Sequence, residues 1–167
     1  MQRLLFFTDA AVIPYPTTEQ FHAQLGYIAD TFRSVTGNDC PRVALTHCTE
    51  KVSEKFPLTL SYEELKKEAR EGAFGSIEVD GPMDVKTACD AESGAIKGIA
   101  SPVVGNADIL IFPDIEAGNT FYKAITLFAK ATVAGMLAGT TAPVVVTSRA
   151  DTVESKFYSL ATACMKA

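Results

Sequence analysis

The chain has 167 residues, of which 47% are apolar, 9% aromatic and 21% charged, and its net charge at pH 7 is −5. This composition predicts one compact domain with a sizeable core, or two small domains at most, and excludes wholesale disorder. The acidic balance argues against a nucleic-acid partner. No apolar run approaches the roughly 18 residues that a membrane span needs.

The N-terminal part of the chain alternates strand and helix patterns. An apolar run at 3–8 predicts a buried strand. Thr17 and Gln20 fit a capping box, and apolar residues then recur at every third or fourth position over 21–35, which predicts an amphipathic helix. A second strand is predicted at 42–46.

The middle of the chain continues the alternation. Residues 61–64 fit a second capping box, opening a helix that continues through Ala69. A short third strand at 77–79 is expected to end in a turn at 80–82. The mixed stretch that follows, up to Gly98, predicts one helix.

The clearest buried strand lies at 107–113, followed by a predicted turn at 114–119 and a helix at 120–129. Residues 133–138 are strand-like, and the nearly all-apolar run 143–147 predicts the last strand. A final helix is predicted with an apolar face. It spans 152–165, with Val153, Phe157, Leu160, Ala161 and Cys164 on that face.

Apolar strands that alternate with helices are typical of a parallel sheet covered on both faces. The predicted fold class is therefore α/β, with a mostly parallel sheet flanked by helices. Ligands of such sheets bind beyond the carboxyl ends of the strands. The loops after Phe112 and Val146 are therefore the candidate site segments.

The loop after Val146 offers two interpretations. Thr147, Ser148 and Arg149 bring hydroxyls and a guanidinium to a predicted helix N-terminus, where backbone N–H groups attract anions. Arg149 can hold a phosphate through two hydrogen bonds. Alternatively, Asp151 and Glu154 only cap the helix, and Arg149 is a surface charge.

The loop after Phe112 also allows two interpretations. Asp114 and Glu116 place two carboxylates at a strand's carboxyl end, Gly118 allows a close backbone approach, and Asn119 can bind a ligand or cap a helix. The alternative is turn chemistry with helix capping. The two histidines, His22 and His47, have no ligand-like partner at metal spacing and are interpreted as structural or surface residues.

The cysteines form no C-x-x-C pair and no zinc-like spacing. The opening residues lack the features of a secretory leader, because Arg3 is a single basic residue and Asp9 interrupts a short apolar run. Together these patterns favour free thiols in a reducing cytoplasm.

Several motifs, in order, resemble the C-terminal half of the phosphate acetyl/butyryltransferase family. They are L-F-F-T-D-A-A at 5–11, V-D-G-P at 79–82, the run 101–119 that contains D-I-L-I-F-P-D-I-E-A-G-N, Y-K at 122–123, and A-P-V-V-V-T-S-R-A-D at 142–151. The last motif is more similar to the butyryltransferase branch than to the acetyltransferase branch.

The resemblance implies the reversible reaction of acyl-CoA with phosphate to give acyl phosphate and CoA, most similar to the butyryl type. Coenzyme A is then a substrate or product, no cofactor or metal is needed, and a homodimer is expected. The catalytic residues would be Ser148, Arg149 and Asp151. The substrate-binding residues would be Thr147, Asn119, Gly118 and Asp114.

The resemblance also implies a domain organisation like that of isocitrate and isopropylmalate dehydrogenases, with the site between two domains. Residues 1–138 would be the second domain, and 139–167 a strand and helix that cross back into a first domain, which this chain lacks. The acetyltransferase branch assigns the base to an Asp seven positions after the serine. That position is Ser155 here, which makes Asp151 the local substitute. Two alternatives are a phosphate acetyltransferase and a non-catalytic fragment that keeps the domain core and a dimerisation surface.

Overall fold

The computed structural model describes residues 4–166. The elements in chain order are β1 (Phe6–Thr8), α1 (Thr18–Thr36), β2 (Arg42–Thr46), α2 (Leu58–Arg70), β3 (Glu78–Met83), α3 (Val85–Cys89), α4 (Ala91–Lys97), β4 (Ile109–Ile111), α5 (Ile115–Phe128) and α6 (Val153–Lys166).

The strands among these residues form one parallel sheet in the order β1-β4-β2-β3. The chain runs from β1 to β2 and β3 and then returns, so that β4 pairs between β1 and β2. Each of the three residues of β4 is buried. A strand covered on both faces is expected to be an unbroken apolar run, as β4 is.

Two apolar clusters cover the two faces of the sheet. On one face, α1 and α2 pack against Val43, Leu45 and Ile109. On the other face, α3 and α5 pack near Ala44 and Leu110. The alternation along β2 therefore divides its side chains between two cores, and the predicted α/β class is confirmed. The likeness to the dehydrogenase domain stays a prediction.

Three predictions for the middle of the chain are wrong. The helix α2 begins at Leu58, so Ser61 lies inside it and makes no cap. The strand β3 continues through the predicted turn at 80–82, because Asp80 pairs with Ala44 and Met83 with Thr46, with a register irregularity between the two pairs. The stretch up to Gly98 holds two short helices instead of one, since Asp84 and Asp90 each cap a separate helix.

The predicted turn at 114–119 is also wrong, because α5 already begins at Ile115. Asp114 is its N-cap, and the carboxylate accepts a hydrogen bond from the backbone N–H of Ala117 at 2.7 Å. Capping by Asp satisfies a backbone donor that the first helical turn leaves without a partner. Of the segment 114–119, Asp114 therefore does serve in helix capping, as the second interpretation of this loop predicted.

The predicted strands at 133–138 and 143–147 do not form; one isolated bridge joins Leu137 to Val144. An apolar run becomes a strand only where a neighbouring strand supplies hydrogen bonds, and within residues 4–166 none pairs with 143–147. The helix α6 instead lies against α1, burying its small residues Ser155, Ser159 and Ala163. The domain boundary at residue 138 stays a prediction.

None of the helices in residues 4–166 is both long enough and apolar enough to cross a bilayer.

Candidate functional site

A cleft of about 650 Å³ opens at the carboxyl ends of β2, β3 and β4. After β2 the chain enters α2 on one face of the sheet, whereas after β4 it enters α5 on the other face. The two loops therefore diverge, which creates a crevice at the point where open α/β sheets bind their ligands. The loop after Phe112 forms one wall of this cleft, as its position in the sequence suggests.

Aromatic side chains line much of the cleft. The imidazole of His47 meets the ring of Phe56 edge to face, with centroids 5.0 Å apart. Burial lowers the pKa of His47, so the ring is neutral at pH 7. Its position directly after β2, at the carboxyl edge of the sheet, is the signal that would have marked this histidine as a site residue rather than a structural one.

Asp84 reaches the cleft from the end of β3. Its carboxylate accepts hydrogen bonds from the N–H of Thr87, at 2.7 Å, and from the ammonium of Lys97, which also binds Glu50. Burial alone would raise the pKa of Asp84, but these hydrogen bonds outweigh burial and lower the pKa to about 2. Asp84 is therefore ionised and internally paired at neutral pH.

The lowered pKa of Asp84 predicts a pH window for its contribution to stability. An unfolded Asp titrates near pH 4, so the stabilisation is present above about pH 4 and is lost as pH falls toward about 2. We expect Asp84→Asn to flatten the slope of unfolding free energy across this window, measured by urea denaturation at several pH values. Asp39→Asn, at an exposed position, is the control; equal slopes for the two variants would contradict the assignment.

Three predicted substrate-binding residues lie at the N-terminal end of α5 and have different surroundings. Asp114 lines the cleft. Gly118 lies against the backbone oxygen of Asp9, and a Cβ added at this glycine would be 2.0 Å from that oxygen. The Asn119 amide donates to the Ala10 carbonyl at 3.0 Å. Gly118 and Asn119 thus hold the loop after β1 in place.

The close approach at Gly118 predicts a large effect of a single methyl group. Because the neighbouring atom is backbone, Gly118→Ala forces the loop away from α5, and we expect about 1–3 kcal/mol of destabilisation, typical of overpacking. Urea denaturation measures it. The control is Gly26→Ala, also inside a helix, where an added Cβ meets only the ring of Phe74 at an ordinary 3.9 Å. A loss at Gly118 no larger than that at Gly26 would contradict this interpretation.

A second group of polar side chains joins α5 to the segment before α6. The N–H of Ser148 donates to Asp151 Oδ2 at 2.7 Å, and the hydroxyl of Tyr122 donates to Asp151 Oδ1. Lys123 Nζ lies 3.3 Å from Ser148 Oγ. Burial, together with the hydrogen bond to Asp151, raises the pKa of Tyr122 to about 12, which keeps this phenol a donor.

This second group brings Ser148 and Asp151 together but leaves two other predicted residues apart. Arg149 is exposed and, within residues 4–166, forms no ion pair; Thr147 is half-buried. None of these four residues lines the cleft. Tyr122 and Lys123 form one of the motifs that carry the family resemblance. The sequence alone does not indicate that they contact Asp151 and Ser148.

The capping interpretation of the last helix names the wrong residue, Asp151. Thr152, not Asp151, accepts the hydrogen bond from the N–H of Ser155 at 3.1 Å. Asp151 is thereby left to bind the amide of Ser148. Ser155 is buried, and its hydroxyl accepts a hydrogen bond from the hydroxyl of Thr152 at 3.2 Å. At the position where the acetyltransferase pattern would have the base, this chain therefore has Ser155, a buried residue on the packed face of α6.

The cleft and the second group are connected through α5. Ala117 lines the cleft and Lys123 binds Ser148, and the step of six positions from one to the other corresponds to a rise of about 9 Å along the helix. The cleft is mostly apolar and its charged side chains are carboxylates, whereas the second group contains the ammonium of Lys123 together with the carboxylate of Asp151. An anion such as phosphate is therefore better accommodated at the second group than in the cleft. No cluster of three metal-binding side chains occurs within residues 4–166.

Two curated relatives are similar to this chain over nearly its whole length. The chain is 42% identical over 161 residues to a phosphate acetyltransferase of Thermotoga maritima and 40% identical over 167 residues to a phosphate butyryltransferase of Clostridium beijerinckii. These matches cover 95% and 99% of this chain but 54% of each relative. The chain thus spans about half the length of these curated relatives.

A solved structure and a family profile agree with these matches. A branched-chain phosphotransacylase from Enterococcus faecalis superimposes with a TM-score of 0.84 at 34% identity, covering 96% of this chain and 58% of that one. The profile described as "Phosphate acetyl/butaryl transferase" matches residues 1–164. The chain therefore belongs to the phosphate acetyl/butyryltransferase family.

Proposed function

We propose that this chain is part of a phosphate acyltransferase that converts acyl-CoA and phosphate into acyl phosphate and CoA, with a butyryl-type acyl group. The observation that carries the proposal is the family match over residues 1–164. The arrangement of Lys123, Ser148 and Asp151 supports it, because acyl transfer to phosphate needs a cation, a hydroxyl and a carboxylate close together.

In this proposal the second group carries the chemistry. Arg149 and Lys123 hold phosphate for attack on the thioester carbonyl. Ser148 donates a hydrogen bond to the oxygen or sulfur on which charge develops. Asp151 takes the proton of the CoA thiol in the reverse direction. Thr147 borders the phosphate.

Asp114 contacts substrate in the cleft, where its carboxylate already forms part of the wall. Gly118 and Asn119 contribute by fixing the loop after β1, through the contacts to Asp9 and Ala10. Their role in substrate binding is thus one of positioning.

Three further features belong to the proposal: the enzyme is cytoplasmic, it is a homodimer, and it uses CoA as a substrate without a further cofactor. A phosphate acetyltransferase is the near alternative, since relatives of both names match this chain. A non-catalytic fragment is the alternative from another class. The apolar side chains that α6 exposes favour it for the chain on its own.

The test measures the release of CoA from butyryl-CoA in the presence of inorganic phosphate, and a thiol reagent detects the CoA that is released. The chain is assayed alone and with the N-terminal half of a relative added. Acetyl-CoA and isobutyryl-CoA are assayed in parallel. Highest kcat/KM with butyryl-CoA supports the proposal, highest kcat/KM with acetyl-CoA indicates the acetyl alternative, and no turnover in any mixture indicates the non-catalytic one.

Asp151→Asn separates a base from a structural carboxylate. Asn keeps an oxygen that can accept from the Ser148 amide, so we expect folding to persist. Loss of the base should slow CoA acylation by acyl phosphate about 10²-fold. The rate is measured across pH in the assembly with an N-terminal half, with Asp39→Asn as the control. Equal rates for Asp151→Asn and the parent at every pH would remove Asp151 from the mechanism.

A further inference from the structure

We propose that the cleft at the carboxyl edge of the sheet binds the adenine ring of coenzyme A. The inference rests on the proposed function, which makes CoA a substrate, and it assigns one part of that substrate to a place in this chain. The cleft volume of about 650 Å³ lies within the range of sites that enclose small ligands.

The side chains of the cleft suit a flat heterocycle. Tyr15, His47 and Phe56 contribute rings to its lining, and Phe, Tyr and His are the residues on which nucleobases stack. The imidazole of His47 is neutral at pH 7, because burial lowers its pKa. It therefore offers an aromatic surface rather than a cation.

The charges of the cleft favour the base over the phosphates of CoA. Its lining includes the carboxylates of Asp84 and Asp114 and no Lys or Arg from the described residues. Asp84 is already bound by Lys97. In Asp114, Oδ1 caps α5, and Oδ2 has no hydrogen-bond partner among residues 4–166. A carboxylate oxygen repels phosphate but accepts a hydrogen bond from the exocyclic amine of adenine.

The cleft and the second group lie along the same helix, so one flexible substrate can contact both. The second group, which contains the ammonium of Lys123, begins about 9 Å farther along α5. Adenine in the cleft leaves the phosphate-binding side chains Lys123 and Arg149 to the reacting end of the complex. The acidic, ring-lined cleft and the part of the site that contains Lys123 thus bind chemically different parts of the substrates.

The test uses imidazole NMR signals, because the chain has two histidines. His47 lies in the cleft and His22 lies outside it, paired with Glu68 on α1 and α2. We expect millimolar adenosine to shift the His47 signals and leave those of His22 in place. Purine riboside, which lacks the exocyclic amine, should bind about 10-fold more weakly, because a hydrogen bond to a charged group is lost.

Two variants and one matched control test the named contacts. Phe56→Ala should weaken adenosine binding roughly 10-fold through lost stacking, while Phe128→Ala, at an exposed ring on the end of α5, should not. Asp114→Asn keeps a cap of α5 and should reduce the preference for adenosine over purine riboside. Thermal unfolding of each variant confirms that the fold persists.

The outcomes separate this inference from the proposed function. If pantetheine shifts His47 and adenosine does not, or if both nucleosides bind equally to the parent, the adenine assignment is overturned. In the assembly with an N-terminal half, Phe56→Ala should raise KM for CoA and leave KM for phosphate unchanged. Acyl transfer without adenosine binding defeats the inference alone, whereas adenosine binding without acyl transfer defeats the proposed function alone.

Discussion

Replacing Arg149 with alanine should remove most of the phosphate-dependent turnover of the assembled enzyme. A charge-assisted contact made in the transition state is worth about 2–4 kcal/mol, which corresponds to roughly 30- to 1,000-fold in kcat/KM for phosphate. Arg149 is exposed, and no ion pair within residues 4–166 depends on it, so the free energy of unfolding should stay nearly unchanged.

The measurement is initial rate against phosphate concentration, with butyryl-CoA held constant. Arg149→Lys keeps the charge but loses the planar pair of donors, and we expect an intermediate rate. Lys156→Ala removes a nearby exposed cation on α6 and serves as the matched control. An apparent affinity for phosphate that is equal in Arg149→Ala and the parent would show that this guanidinium does not bind the nucleophile.

The elements that local pattern determines were predictable, and those that depend on a distant partner were not. The capping box at Thr17 forms as predicted, and α1 buries its periodic apolar residues against β2 and β4. The run 143–147 has an equally clear apolar pattern and forms no strand, because a strand needs a neighbour that local sequence cannot guarantee.

The same distinction applies to the site. The turn motif at 147–151 left an anion site and simple helix capping both open; in the structure the N–H of Ser148 binds Asp151, and the anion site stays a prediction. The contribution of Lys123 could not be predicted, because it depends on how α5 lies beside the segment before α6. The cleft likewise depends on the divergence of loops after β2 and β4, a property of strand order that emerges only from the folded sheet.

The helix α6 exposes large apolar side chains, which predicts that the chain associates with another polypeptide. Its buried face consists of small residues, whereas Val153, Phe157 and Leu160 are exposed by 84%, 65% and 58%. A run of large apolar side chains on one exposed helix marks an interaction surface. The part of the relatives that this chain does not span is one candidate to cover it, and a second copy is the other.

We therefore expect the chain on its own to self-associate, measured by sedimentation velocity over a concentration series. The double variant Phe157→Ser with Leu160→Ser should be mostly monomeric, since each apolar side chain buried in a contact contributes about 1.5–3 kcal/mol. Ile96→Ser, which removes an equally exposed apolar side chain from α4, should associate like the parent.

Amide exchange completes this test. Without a strand partner, the amides of 143–147 should exchange faster than those of β2 and β4, and an added N-terminal half should protect them and reduce self-association together. The two effects are linked, because a polypeptide that pairs with this segment also covers the adjoining helix. A parent chain that stays monomeric at about 100 μM, with this segment protected throughout, would show that the exposed face of α6 needs no partner.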